Sequence, residues 1–204
     1  MEVALLVLAV IGGAVVVGGT ALLVMRLQSS QGSPEREGYL QALAASHGGE
    51  LSKTGLMGHE TITFTHGQVK GKIVFAQNVS QHQTRYLTHV VFNVPDLFVD
   101  LHLQTRGNSP PSSFSPTLPP KLQNLPDGLP HNLDFFSHSP EPAANLIASL
   151  KFKSFINTLA PMAGLAKFEL LQVGHEFKFA IDGFILEDDT LMALYNLLLD
   201  QARS

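Results

Sequence analysis

The chain has no cysteine and no tryptophan, and only 15% of its 204 residues are charged. Without cysteine there are no disulfides, no thiolate zinc or iron–sulfur ligands, and no thiol nucleophile. The net charge is −4 and the thirteen basic residues are scattered. No basic stripe marks a nucleic-acid footprint, and no Lys/Arg cluster follows the apolar N-terminus to hold anionic lipid. A nucleophile elbow, a phosphate-binding P-loop, a dinucleotide fingerprint and a complete H-E-x-x-H zinc helix are all missing as well. The expectation is a non-enzymatic protein with no cofactor and no nucleic-acid partner.

Against these absences stands one long apolar run. Residues 3–25 carry no charged side chain, and Thr20 is the only strongly polar one. As a helix the run spans roughly 30 Å, the thickness of a bilayer core. A cleaved signal peptide fits less well: Met1-Glu2 is acidic where such peptides are basic, and the apolar stretch is too long. The reading is therefore a transmembrane helix over 1–26, single-pass and retained. Arg26 and Arg36 follow the span and no basic residue precedes it, so the positive-inside rule places the large domain in the cytoplasm.

The span is rich in small residues. Leu5, Ala9, Gly12, Val16 and Gly19 recur at four- and three-residue steps, and Ala9 with Gly13 and Ala14 with Gly18 are four apart. Small side chains let backbones approach, which is how helices associate in lipid. Leu5, Ala9, Gly12, Gly13, Val16, Gly18 and Gly19 are thus the candidate helix-packing residues. They would face other membrane-protein subunits or a second copy of the chain.

After a linker over 27–38, the region 39–204 has the length of a single domain. Pro34 is placed to open a helix, with Tyr39, Leu40, Leu43 and Ala44 on one face and Gly48-Gly49 as its stop. Ile62 and Phe64, then Ile73 and Phe75, alternate with polar residues around Gly67, as half-buried antiparallel strands do. Tyr86, Thr88, Val90, Phe92 and Val94 form another strand face. Pro95-Asp96 reads as a turn, with Leu97, Val99, Leu101 and Leu103 returning. In that register Phe92 faces Val99 and Val90 faces Leu101, apolar on apolar.

The region 106–130 holds seven prolines with serines between them and reads as a partly extended surface loop. Its 118–122 stretch is a candidate polyproline II ligand for a groove. A strand through Leu133 and Phe135 follows, then a helix start at Ser139-Pro140-Glu141-Pro142 with Leu146, Ile147 and Leu150 as its buried face. A second helix over 152–159 precedes Pro161. A hairpin then turns at Gly174-His175, with Phe168 and Leu170 on one arm and Phe177, Phe179 and Ile181 on the other. Asp188 or Asp189 caps a last helix bearing Leu191, Leu194, Tyr195 and Leu198. The fold class is α+β: the membrane helix, then an antiparallel sheet with helices packed on one face.

The run Asn132-Leu133-Asp134-Phe135-Phe136-Ser137-His138-Ser139-Pro140-Glu141-Pro142, with the leucine-rich helix, hairpin and amphipathic helix after it, resembles a loose group of uncharacterised bacterial single-pass membrane proteins. The resemblance implies a bacterial membrane setting and brings no activity, cofactor or catalytic residue.

Chemistry concentrates on the histidines. The 86–103 hairpin sets His89 opposite His102 on its polar face, with Asp100 beside them as a third metal ligand. Two facing imidazoles would also repel on protonation and make a pH-sensitive element. The plainer reading is two histidines on a solvated face. Gly58-His59-Glu60 and Gly174-His175-Glu176 read as turns, and Glu187-Asp188-Asp189 as a helix start. Three functions follow: an accessory or scaffold subunit of a membrane complex, a membrane-tethered ligand- or peptide-binding module, and a His-based metal enzyme.

Overall fold

A computed structural model describes residues 34–54, 59–79, 84–95, 99–107, 117–163, 167–185 and 187–203. The apolar run 3–25 and its small-residue stripe lie outside them. Among the described residues no helix is long and apolar enough to cross a membrane. The α+β expectation holds. Eight antiparallel strands form one sheet: β1 (Glu50–Thr54), β2 (His59–His66), β3 (Val69–Val79), β4 (Thr84–Asn93), β5 (Leu101–Thr105), β6 (Leu133–Phe136), β7 (Phe168–Val173) and β8 (Glu176–Asp182). Among the described residues four helices accompany it: α1 (Pro34–Ser46), α2 (Pro140–Ala148), α3 (Leu150–Ala163) and α4 (Asp188–Ala202).

The strand order is β1-β2-β3-β4-β8-β7-β5-β6. The first four strands pair with their sequence neighbours, as the alternation around Gly67 predicts; Gly67 takes φ 65° between His66 and Val69. The hairpin joining β4 to β5 does not form. The C-terminal β7–β8 hairpin is inserted between them, so that β4 pairs with β8 and β5 pairs with β7 and β6. Phe92 faces Phe177 rather than Val99, and Val90 faces Phe179 rather than Leu101. The apolar matching that recommended the hairpin is met equally well by the inserted strand.

The registers align one apolar row across the whole sheet. Leu51, Ile62, Ile73, Val90, Phe179, Leu170, Leu103 and Phe135 stand side by side, one from each strand. All but Leu51 are fully buried. This is the core face. A parallel row reads Phe64, Gly71, Phe92, Phe177, Gln172, Leu101. Gly71 leaves a gap among aromatics that Tyr195 of α4 fills, its ring 4.8 Å from Phe64 and 5.0 Å from Phe92. A Cβ at Gly71 would lie 2.9 Å from the Phe92 ring and from the Tyr195 Cζ, so the strand carries glycine because α4 approaches its backbone.

The first helix forms where the sequence placed it. Leu40, Leu43 and Ala44 are buried, and the Gly49 N–H closes on the Ala44 carbonyl at 2.7 Å. It packs on β1 and β2. Arg36, 1% exposed, pairs with Glu60 at 2.5 Å and lies 4.4 Å from the centroid of the Phe184 ring. Burial lowers the Arg36 pKa against the opposing pull of Glu60. Arginine remains charged nonetheless. The positive-inside expectation counted Arg36 as a juxtamembrane charge; in the folded domain Glu60 neutralises it, which leaves Arg26.

Three further expectations are corrected. Leu150, assigned to a buried helical face with Leu146 and Ile147, is 86% exposed. Ser149 is extended at ψ 142° and ends α2, so Leu150 starts a new helix on a different face. That helix, α3, runs on through Pro161 to Ala163; near a C-terminus the missing proline N–H removes little of the ladder. The proline-rich segment was expected to be a surface excursion. Its stretch 108–116 lies outside the described residues, while residues 120–122 pair with the β6 edge. The Leu122 N–H reaches the Phe135 carbonyl at 2.8 Å and the Ser137 N–H the Pro120 carbonyl at 3.1 Å. Lys121 pairs with Asp134 at 2.8 Å and Leu122 is buried. The 118–122 stretch is thus engaged within the domain. Finally, Glu187 rather than Asp188 or Asp189 occupies the α4 N-cap, without a side-chain cap bond. Asp188 instead meets His47 at 2.8 Å.

Candidate functional site

The proposed metal triad is not assembled. His89 lies between Val74 and Ala180, and His102 between Leu171 and Phe136. Two strands separate them, roughly 14 Å at ordinary strand spacing. Asp100 precedes β5; its carbonyl accepts the Ser137 hydroxyl and its carboxylate the His138 N–H. Among the described residues no three His, Cys, Asp or Glu side chains are grouped to hold a metal. The facing-histidine pH element is removed by the same register.

Each histidine has a different setting. The His102 Nε2 lies 2.6 Å from a Glu169 carboxylate oxygen, both side chains at 0% exposure on the face away from the apolar row. The oxygen is off the line of a hydrogen bond, and among the described residues neither ring nitrogen has one. An imidazole and carboxylate side by side are the parts of a general base. Sealed from solvent, with no hydroxyl bonded to the ring, this pair is a buried polar contact between β5 and β7, which the strand ladder joins. His89 is partly buried; burial, reinforced by His59, lowers its pKa to about 4. The two tripeptides divide as well. Gly174-His175 makes the β7–β8 turn, with Gly174 at φ 58°. Gly58 lies outside the described residues, and His59-Glu60 open β2.

A concave site opens elsewhere, at the end of the sheet where β4 finishes and β5 begins. This groove of about 600 Å³ is walled by Val69, Val94, Val99, Leu146 and Phe152. Gln172, Gln201, Lys151 and Arg203 supply its polar groups. Gln172 and Gln201 are each only 7% exposed. Arg203 also donates to the His66 carbonyl at 3.2 Å. A mostly apolar cleft of this size with a few convergent polar groups has the form of a binding site.

Sequence reasoning missed this groove, although it leaves a signal. Gln172 interrupts the row Phe64-Gly71-Phe92-Phe177-Gln172-Leu101, and Gln201 follows Leu198 by three on the buried face of α4. Two glutamines stand where both periodicities ask for apolar side chains. What fold and groove define together is an antiparallel α+β domain with a cleft between its helices and one end of the sheet. The chain matches no family model, no curated protein and no solved structure.

Proposed function

We propose that the protein is a membrane-anchored, non-enzymatic accessory or scaffold subunit of a larger membrane complex. The buried Arg36–Glu60 pair carries this reading. It fixes the first helix to the sheet only eight residues after the apolar run ends at Met25. Eight extended residues reach at most roughly 30 Å, so a domain tethered in this way stays against the membrane surface. The stripe of Leu5, Ala9, Gly12, Val16 and Gly19 supplies a packing face for partner helices, and the resemblance of 132–142 supports a bacterial membrane setting. Replacing Ala9, Gly12 and Gly19 with leucine should reduce recovery of partner subunits from mild detergent extracts. Recovery of the native chain only as a lone monomer overturns the proposal.

A second reading, a tethered binding module, is favoured by the groove beside β5. The two readings are compatible: one concerns the anchor, the other the domain. The metal-enzyme reading is not carried forward, because the register separates His89 from His102.

A further inference from the structure

We propose that the free edge of β1 docks a second copy of this chain, whose own β1 adds antiparallel to it and continues the sheet across a two-fold axis. The inference concerns the folded domain and does not rest on the anchor.

The two edges of the sheet are treated differently. At β6 the chain covers its own edge: residues 120–122 pair with it, and Lys121 binds Asp134 at 2.8 Å. At the other end β1 pairs with β2 and, among the described residues, with nothing else. An open edge is a template for another strand, and proteins blunt such edges with proline, a bulge or lysine. Strand β1 contains no proline, and its register from Glu50 opposite Thr63 to Thr54 opposite His59 runs without a bulge. Its lysine, Lys53, is paired with Glu37 of α1 at 2.8 Å.

The surface beside this edge fits a copy of itself. A concave strip of about 570 Å³ runs between α1 and β1, walled by Glu37, Gln41, Ala44 and Ala45 on the helix and by Gly49 and Leu51 below. The apolar row that crosses the sheet stops here, at the half-buried Leu51. Glu37, Gln41 and Ala45, spaced by four, set one exposed stripe of α1 beside the edge. A second sheet end brings its own helix on the same face, so strand meets strand while helix meets helix. A single extended peptide would pair with the strand and leave the helical stripe open.

The strand is also self-complementary. In the antiparallel register that overlaps all five residues, the two-fold passes through Ser52. Leu51 then faces Lys53 of the second copy, whose aliphatic stem extends the apolar row, and Glu50 faces Thr54. No like charges are directly opposed, an arrangement that sheets penalise. Glu37 and Lys53 from each copy bring equal and opposite charge to the interface. Closed two-fold pairing of this kind is the commonest form of oligomer.

The chain has no cysteine, so a single introduced cysteine reports its position cleanly. Directly opposed antiparallel residues have Cα atoms about 4.5 or 5.5 Å apart, within disulfide reach. In the full chain in mild detergent, Ser52→Cys should link two copies under mild oxidation about tenfold faster than Leu150→Cys, an exposed position on α3. Leu51→Lys sets an ammonium opposite Lys53 twice across the axis, so the dimer seen by light scattering should weaken about tenfold; circular dichroism checks that this variant folds. One copy per particle, linkage of Ser52→Cys no faster than of Leu150→Cys, or an undiminished dimer in folded Leu51→Lys overturns the proposal. A different protein bound in place of the second copy also overturns it and assigns the edge to a heterologous strand. Rapid linkage of Ser52→Cys should persist when Gly12→Leu is added. Its loss there would assign the pairing to the N-terminal stripe and overturn the proposal, so failure of the anchor reading and failure of this one are separable.

Discussion

The two halves of the sheet obey different connection rules. From β1 to β4 each strand pairs with the next in sequence, and a tight turn such as Gly67-Gln68 sets the register. Beyond β4 the order becomes β8, β7, β5, β6, so pairing joins segments more than eighty residues apart, as where Phe92 meets Phe177. Among the described residues each half also contains a buried pair of acidic and basic side chains. Arg36–Glu60 joins a helix to the core face of the local half, and His102–Glu169 joins two strands on the opposite face of the inserted half. Local pairing is dictated by turns. Inserted pairing has to be selected among strands with the same alternation, and a buried polar match between β5 and β7 provides selection that apolar matching cannot.

The largest effect is expected from breaking the local pair. Arg36→Ala leaves Glu60 in a buried site without its cation and removes the guanidinium from the Phe184 ring. Loss of one partner of a buried ion pair costs about 3–5 kcal/mol, and this case belongs at the upper end. Urea denaturation of the chain should show the midpoint falling accordingly. A loss below about 1 kcal/mol would mean that α1 is held by Leu40 and Leu43 alone.

In the inserted half, Glu169→Leu alone should cost about 1–3 kcal/mol, because the buried His102 ring nitrogens lose the polar side chain beside them. The double variant His102→Leu with Glu169→Leu should recover most of that loss, since apolar replacement of a whole buried pair is often neutral. A thermodynamic double-mutant cycle measures the coupling. Additive losses would show that the two side chains act independently and do not select the β5–β7 pairing.

The contrast between halves also explains what was legible in the sequence. The α+β class, every strand except β1, the helix start at Pro34 and the turn at Gly174 were visible because each depends on residues within a few positions of one another. The β4–β5 hairpin was misread because Phe92 and Val90 accept Val99 and Leu101 as readily as Phe177 and Phe179. Nothing in alternation alone ranks a near partner against a distant one. The error moved His89 and His102 into a false site, and a metal triad was built on it. The groove went unseen for the converse reason: Gln172 and Gln201 become neighbours only once β7 and α4 are assembled.

His89 sharpens the comparison at the seam, since β4 there abuts β8. Its pKa in the folded domain is lowered to about 4 by burial and by His59, whereas the unfolded chain titrates near 6.5. Between those values the unfolded state binds more protons, so stability decreases as pH falls from about 6.5 toward 4. The loss should approach about 2 kcal/mol, measured by denaturation at pH 7 and pH 4.5. His89→Gln should flatten that slope. Asp134, whose pKa is lowered chiefly by its hydrogen bond to Lys121, contributes stability that is lost only at more acid pH. An unchanged slope in His89→Gln would place the acid sensitivity away from the seam.

The smallest effect is expected at Leu150, and its smallness is informative. Were α2 and α3 one continuous helix, Leu150 would follow Ile147 by three residues on the same buried stripe, and its replacement would cost about 2–5 kcal/mol. The break at Ser149 rotates it outward to 86% exposure. Burial there is almost nil, so Leu150→Ser should change stability by less than about 0.5 kcal/mol. A large loss of stability would instead restore the continuous helix.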